Sequence, residues 1–345
     1  MALYIFITII SFLIHFILIV PFIDFLYKMK FQRAKQETKD AFNKPTPIFD
    51  LFHQHKSGTP VGGGILVTIV TLILSLFFII LLHYLNVSIN SNYPNILAEI
   101  SIIVFTFGGF ALLGIYDDLE KIFVFDKSNF FGLQLRNKLI IEVGLALFIS
   151  FLIYQYLKIS IIYVPFLGVF DLSYFYILFS AFVILAFANA VNITDGLDGL
   201  SSGTLSIALV AFWAVAATII DVPLSIFIAV WLGGLIAFLY FNIHPARIFL
   251  GDTGALAFGA GFAVVGLILG KAFALPIIGG VFVVEIATSL LQLLSKRYRK
   301  KKLFPVAPAH LYLQYIGWEE GKIVMRFWII GAIFALIGLF IAFMK

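Results

Sequence analysis

The chain has 345 residues, 62% of them hydrophobic and 12% charged, with a mean hydropathy of +1.08 and a net charge of +5. Soluble domains carry roughly 45–50% apolar and about 25% charged residues, so the composition excludes a soluble globular protein and reads as a polytopic membrane protein. Cysteine is absent, which excludes disulfides, Cys–zinc sites and thiol nucleophiles and leaves any metal to oxygen or histidine ligands.

A hydrocarbon core of about 30 Å takes about 20 apolar residues to cross as a helix. Ten runs of this kind follow one another, at 2–27, 60–83, 97–116, 137–157, 173–190, 203–220, 223–242, 255–270, 272–294 and 325–344. They predict an all-α integral membrane protein, folded as one domain over 1–345. The first run has neither a basic n-region nor a small-residue cleavage site, so it reads as a retained helix. With the loops assigned alternately to two sides, one side collects all 23 basic residues except Lys158, Lys271 and Lys345. The positive-inside rule makes that side cytoplasmic and puts both termini outside. The cytoplasmic excursions then fall at about 28–59, 117–136 and 295–324. The positive charge follows from this asymmetry and suits anionic lipid; nothing points to nucleic acid.

Acids cluster on the same side. Asp117 and Asp118 follow the third span, Asp195 and Asp198 the fifth, and Asp252 the seventh. Site residues commonly come from separate loops held by a rigid scaffold, and this convergence has that form. Asp117–Asp118 fits a solvated helix end, but equally a hard divalent cation or a general base, since Mg²⁺ is held by one or two carboxylates plus substrate phosphates. In NAVNITDGLDGL, Asn189, Asn192, Thr194, Asp195 and Asp198 crowd a turn whose Gly196 and Gly199 permit close approach to a ligand. Asp252 sits between Gly251 and Thr253 at the start of the eighth span, as an N-cap or as a metal ligand beside amides that favour phosphate. Phe249, three residues earlier, offers an aromatic face to a base. His310 shares its loop with the basic run Lys296–Lys302, which reads as a lipid-headgroup anchor. Glu285 is the one acid well inside a span and is either functional or a buried interhelical hydrogen-bonding group.

SGTPVGGGI at 57–65, GIYDDLEK at 114–121, NAVNITDGLDGL at 189–200, NIHPARIFLGDTGA at 242–255, VFVVEIATSLLQ at 281–292 and APAHLYLQYIGWEEGKIVMRFWII at 307–330 occur in this order. Together they resemble the ordered motifs of the polyprenyl-phosphate N-acetylhexosamine-1-phosphate transferases, from about residue 44 to the end. The GWEE and VMRFWII segments are most similar to the branch that moves phospho-MurNAc-pentapeptide. The resemblance implies a ten-helix enzyme of the bacterial inner (plasma) membrane, often a homodimer, with a cytoplasmic active site and a requirement for Mg²⁺. Its substrates would be UDP-MurNAc-pentapeptide and undecaprenyl phosphate, its products UMP and lipid I. By motif match Asp252 would ligate Mg²⁺ and Asp117 would be the base acting on the lipid phosphate. Asp118, Asn192 and Asp195 would complete the polar centre, and Asp198 and Phe249 would lie at the uridine. Asn242, Lys56, Lys138 and His310 would contact phosphates or order the site, His310 counting with Asp117, Asp118 and Asp252 among the catalytic residues.

Two departures bear on specificity. The family segment P-x-His-His-His-Phe-Glu is here Pro308, Ala309, His310, Leu311, Tyr312, Leu313, Gln314, and Thr-Pro-Thr-Met-Gly-Gly is here Thr59, Pro60, Val61, Gly62, Gly63, Gly64. The alternatives are a relative that moves another UDP-N-acetylhexosamine 1-phosphate, such as that of GlcNAc, and a transporter, for which ten spans with Glu285 would be natural. The transporter reading is weakened because the acids lie at one face and not at mid-membrane.

The charge asymmetry makes topology testable. A reporter fused after Lys345 should lie outside the cell and one inserted beside Lys300 should be cytoplasmic; cytoplasmic placement of both would overturn the ten-span reading.

Overall fold

The computed structural model describes residues 1–32, 47–123 and 135–344. Nine of its helices are long and apolar enough to cross a membrane. In chain order the helices are α1 (Ala2–Lys28), the short α2 (Pro47–His53), α3 (Gly63–Tyr84), α4 (Ile96–Phe123), α5 (Leu135–Leu152), α6 (Phe175–Thr194), α7 (Leu200–Ile219), α8 (Val222–Asn242), α9 (Gly251–Ile268), α10 (Leu275–Ile278), α11 (Gly280–Leu294), α12 (Ala309–Tyr315) and α13 (Glu320–Phe343).

Three differences from the sequence expectation have local causes. The expected span 272–294 is not one helix. It is broken at Gly279, where the single turn α10 ends and α11 begins, and α11 continues through a π turn, Ser295–Arg299. Gly279 packs so closely that a Cβ there would lie 2.7 Å from the Phe187 ring. The helix of the third span runs on past residue 116 to Phe123, so Asp117 and Asp118 are helical residues and not loop residues. Between α5 and α6 lies an antiparallel hairpin, β1 (Ile161–Val164) with β2 (Gly168–Asp171), in the register Ile161↔Asp171 to Val164↔Gly168. Its strands are β-branched and aromatic around a Pro-Phe-Leu-Gly turn, a pattern that favours strand pairing.

All eighteen residues of α9 are buried, which makes it the central helix, with α4, α6 and α3 packed against it. Its sequence explains this. Gly and Ala recur along GDTGALAFGAGFAVVG, and small residues let helix backbones approach closely where lipid supplies no hydrophobic drive for association. A Cβ on Gly259 would lie 2.2 Å from the Phe187 carbonyl oxygen of α6, and one on Gly114 of α4 would lie 2.4 Å from Thr253 Cα. Farther along, Phe107 of α4 stacks on Phe258 of α9 at 5.5 Å between ring centroids and meets Trp231 of α8 edge-on at 4.9 Å.

The starts of α3, α5, α9 and α13 lie at one end of this bundle with the ends of α4 and α8, as their contacts show. Backbone bonds fix the arrangement. The amides of Gly62 and Gly63 donate to the Phe249 carbonyl, at 3.1 and 2.9 Å, and Gly64 donates to that of Leu250 at 2.9 Å. The glycine-rich motif before α3 therefore lies against the segment that leads into α9.

Gly114→Ala should force α4 away from α9, since the obstructing atoms are backbone and cannot rotate aside. Overpacking of this kind costs roughly 1–3 kcal/mol. A lowered thermal unfolding midpoint of the purified protein is expected; an unchanged midpoint would show that the contact between these helices yields.

Candidate active site

The site is built on the buried start of α9. Free amides at a helix N-terminus need acceptors. Here α9 has no side-chain cap of its own, and Asp118 of α4 supplies one from outside. Its Oδ1 accepts from the Asp252 amide at 3.0 Å, and its Oδ2 from the Thr253 amide at 3.0 Å and the Thr253 hydroxyl at 2.8 Å. Gly251, with φ +79°, leaves the room for this: a Cβ there would lie 2.7 Å from Asp118 Oδ2. Asp118 thus faces the protein, fully buried, and fixes the position of Asp252 relative to α4.

Its neighbour Asp117, about 100° farther round the helix, faces a ring of charges. Lys138, at the start of α5, donates to Asp117 Oδ2 at 2.8 Å and to Asp252 Oδ2 at 2.5 Å. Lys121, one turn beyond Asp117 on α4, reaches the same Asp117 oxygen at 3.0 Å and Asp252 Oδ1 at 2.8 Å. Two carboxylates from different helices are therefore bridged by two ammonium groups. Asp117 and Asp252 are nearly inaccessible, and in so dry a place unpaired carboxylates would be costly.

A second cluster lies on the NAVNITDGLDGL segment. Lys56, at the end of a 3₁₀ turn after α2, pairs with Asp198 at 2.7 Å and with Glu320, the first residue of α13, at 2.6 Å. Asp198 also accepts from the Ala246 amide at 3.0 Å and meets His244 Nδ1 at 3.1 Å. Burial pushes the Asp198 carboxyl up, but the Lys56 ammonium and these hydrogen bonds outweigh it and hold the group below the usual carboxylate range. Donor atoms of Asp198, His244 and Glu320 lie within 4.8 Å of one another, a spacing a metal could use. The Lys56 ammonium already supplies the positive charge there. Phe249 lies under the same lysine, its ring centre 6.0 Å from Nζ.

Asn242 closes the last turn of α8 and is turned inward. It accepts from the Gly199 amide at 3.1 Å and the Ser202 hydroxyl at 2.9 Å, and donates to the Ile248 carbonyl at 2.9 Å. Its contacts order the turn before α7. Asn192 occupies the last turn of α6, half-buried. Asp195 follows it, between the two charged clusters. Burial and the Asp252 carboxylate, joined by Asp118 and Asp198, push Asp195 up to about 8 against the opposing charge of Lys56.

His310 arrives from the other side on α12. Its amide and its Nδ1 both meet Glu285 of α11, at 3.1 and 2.9 Å, with both side chains buried. Nε2 then points at Gly196, where a Cβ would lie only 2.4 Å away. The intramembrane acid is thus the orienting partner of the histidine.

The structure gathers Asp117, Lys138 and Asp252 in one cluster, with Asp118 behind them, and Lys56, Asp198 and Phe249 in another. His310 reaches the loop that connects them. Reading the sequence missed Lys121, His244, Thr253 and Glu320 as parts of this constellation. Lys121 had a signal, being four residues from Asp117 and so on the same helix face. His244 and Glu320 lie inside motifs that mark the site, but nothing in their spacing pairs them with Asp198.

Residues 100–270 match the profile of glycosyl transferase family 4. The phospho-N-acetylmuramoyl-pentapeptide-transferase of Oceanobacillus iheyensis is 35% identical over 336 residues, covering 96% of this chain and 96% of the relative. That of Bacillus pumilus is 35% identical over 338 residues, covering 97% of each. That of Caldanaerobacter subterraneus is 36% identical over 340 residues, covering 98% of this chain and 97% of the relative.

Because Asp118 serves the α9 amides, its loss should be felt as instability. Asp118→Ala leaves two buried amides and a hydroxyl without their acceptor, at about 1–3 kcal/mol. A clear drop in the thermal midpoint of the purified protein is expected; retention of the wild-type midpoint would mean that those donors find another acceptor.

Proposed function

We propose that this chain, which belongs to the phospho-N-acetylmuramoyl-pentapeptide-transferase family within glycosyl transferase family 4, transfers phospho-MurNAc-pentapeptide from UDP-MurNAc-pentapeptide to undecaprenyl phosphate, releasing UMP and forming lipid I. The observation that carries the reading is the convergence of Asp117 and Asp252 on two shared ammonium groups at the helix ends. An oxygen of the lipid phosphate would attack the phosphorus that bears the sugar, and the bond from that phosphorus to UMP would break. Phosphoryl transfer asks for positioning and charge neutralisation more than for covalent help from the protein.

In this reading Asp117 takes the proton from the lipid phosphate and orients it. Lys121 neutralises phosphate oxygens and Lys138 orders the site. Asp198 and Phe249 receive the uridine, and Lys56, His310 and Asn192 hold the diphosphate and its surroundings, with Asn242 and Asp118 keeping the frame. Asp195, raised by burial, would be a hydrogen-bond donor at neutral pH.

The metal reading is Mg²⁺ at Asp252. The donor set fits: carboxylate oxygens of Asp117 and Asp252 both lie within 3.0 Å of the same cationic nitrogens, and hard oxygen ligands are those Mg²⁺ takes. When bound, the ion would neutralise the diphosphate and stabilise the charge that develops on transfer.

The partition of basic residues supports a multi-pass protein of the bacterial inner (plasma) membrane, with its site cytoplasmic and both termini outside. Membrane lipid and a second copy of the chain are the remaining partners; exposed apolar side chains such as Ile17, Phe148 and Phe340 suit either.

The purified protein, given UDP-MurNAc-pentapeptide, undecaprenyl phosphate and Mg²⁺, should release UMP and form a lipid-linked product. Asp252→Asn should lower that rate by about 10²–10³-fold, in protein that still folds and extracts from the membrane as the wild type does. Turnover confined to UDP-GlcNAc would overturn the pentapeptide reading, and near-normal turnover of the variant would remove Asp252 from the centre.

A further inference from the structure

Both oxygens of Asp252 are occupied by lysines, Oδ1 by Lys121 and Oδ2 by Lys138. A divalent cation on Asp252 would stand beside two ammonium groups and repel both, which favours the departure of one lysine. Lys138 is 9% exposed, so most of its side chain is held out of water. A displaced ammonium there needs another anion.

Glu142 offers one. It stands four residues past Lys138 on α5, one turn on and on the same face. It is fully buried, and its Oε2 accepts from Asn189 of α6 at 2.7 Å. Its Oε1 meets no hydrogen-bond partner among the described residues, an expensive condition for a buried carboxylate. Glu142 is nonetheless within electrostatic range of Lys138, Asp252 and Asp117.

We propose that Glu142 is a positioning residue, the alternative seat of the Lys138 ammonium. When a divalent cation takes Asp252, Lys138 leaves Asp252 Oδ2 and turns along α5 to Glu142 Oε1. The entering cation then replaces one ammonium, the displaced charge stays paired, and Asn189 holds the receiving carboxylate in place. This rests on the metal reading for Asp252 and adds what the chain does with the charge that the metal expels.

The test uses the full chain without substrates and Mn²⁺ alone, with free Mn²⁺ measured by electron paramagnetic resonance. Glu142→Gln keeps an acceptor for Asn189 and should weaken Mn²⁺ binding about tenfold. Lys138→Ala removes the competing ammonium and should tighten it. In the Lys138→Ala background, Glu142→Gln should then change the affinity by less than about twofold, because no ammonium remains to be seated. Equal weakening in both backgrounds would overturn the proposal, since a charge acting through space needs no lysine; so would wild-type affinity in Glu142→Gln. If Glu142→Gln fails to fold, Glu142→Asp, which retains the charge but not the reach, should weaken binding, and unchanged affinity would overturn the proposal. Asp252→Asn is the control: if Mn²⁺ binding survives it, the metal reading falls and this inference with it, whereas loss there with no Glu142 effect rejects this inference alone.

Discussion

The buried N-terminus of α9 is the constraint from which the rest of the site follows. A helix that starts inside a bundle leaves amides that water cannot reach, and an acceptor must come from a neighbour. Asp118 provides it, which obliges α4 to pass alongside α9 at the closest separation its backbone allows. Gly114 and Gly251 make that separation sterically feasible, and Gly64 does the same for α3 against Gly254. With these contacts made, consecutive residues of α4 meet different partners. One carboxylate is used for structure, and the other is carried toward Asp252. The close packing and the chemistry have a single cause.

Charge balance is the second organising effect. Asp117 and Asp252 alone would be two desolvated anions at short range, an arrangement that costs several kcal/mol unless neutralised. Lys121 and Lys138 neutralise them, and Lys56 pairs with both Asp198 and Glu320. Both clusters thus combine acids drawn from separated segments with lysines that hold them in place.

The membrane class, the span order and most of the acids were legible in the sequence, because a long apolar run has few folded forms and an acid at its edge is conspicuous. Helix ends were less so. Asp117 and Asp118 lie in a helix that outlasts its apolar stretch, and hydropathy cannot show how far a polar end stays helical. The break at Gly279 is invisible to hydropathy too, since both sides are equally apolar. Long-range pairing was the least accessible. Lys56 lies 264 residues from Glu320, and nothing in one sequence joins them. The pairing of Asp118 with Thr253, across 135 residues, is of the same kind. Asn242 shows the limit from the other side: its motif does not reveal that its three hydrogen bonds go to the protein framework.

The positions of the reduced histidine segment point in different directions. His310 is clamped through its amide and Nδ1 by Glu285, leaving Nε2 directed at the loop between the two charged clusters. An imidazole held in this way has one nitrogen committed and one available, which is what orienting a phosphate or a neighbouring carboxylate requires. Leu311 is buried and Tyr312 is 38% exposed, so the next two side chains leave the helix in different directions and neither shares the anchor on Glu285. Replacing them alters the local surface while the anchored nitrogen stays where it is. His310 is thus the position of this segment that the fold holds rigidly.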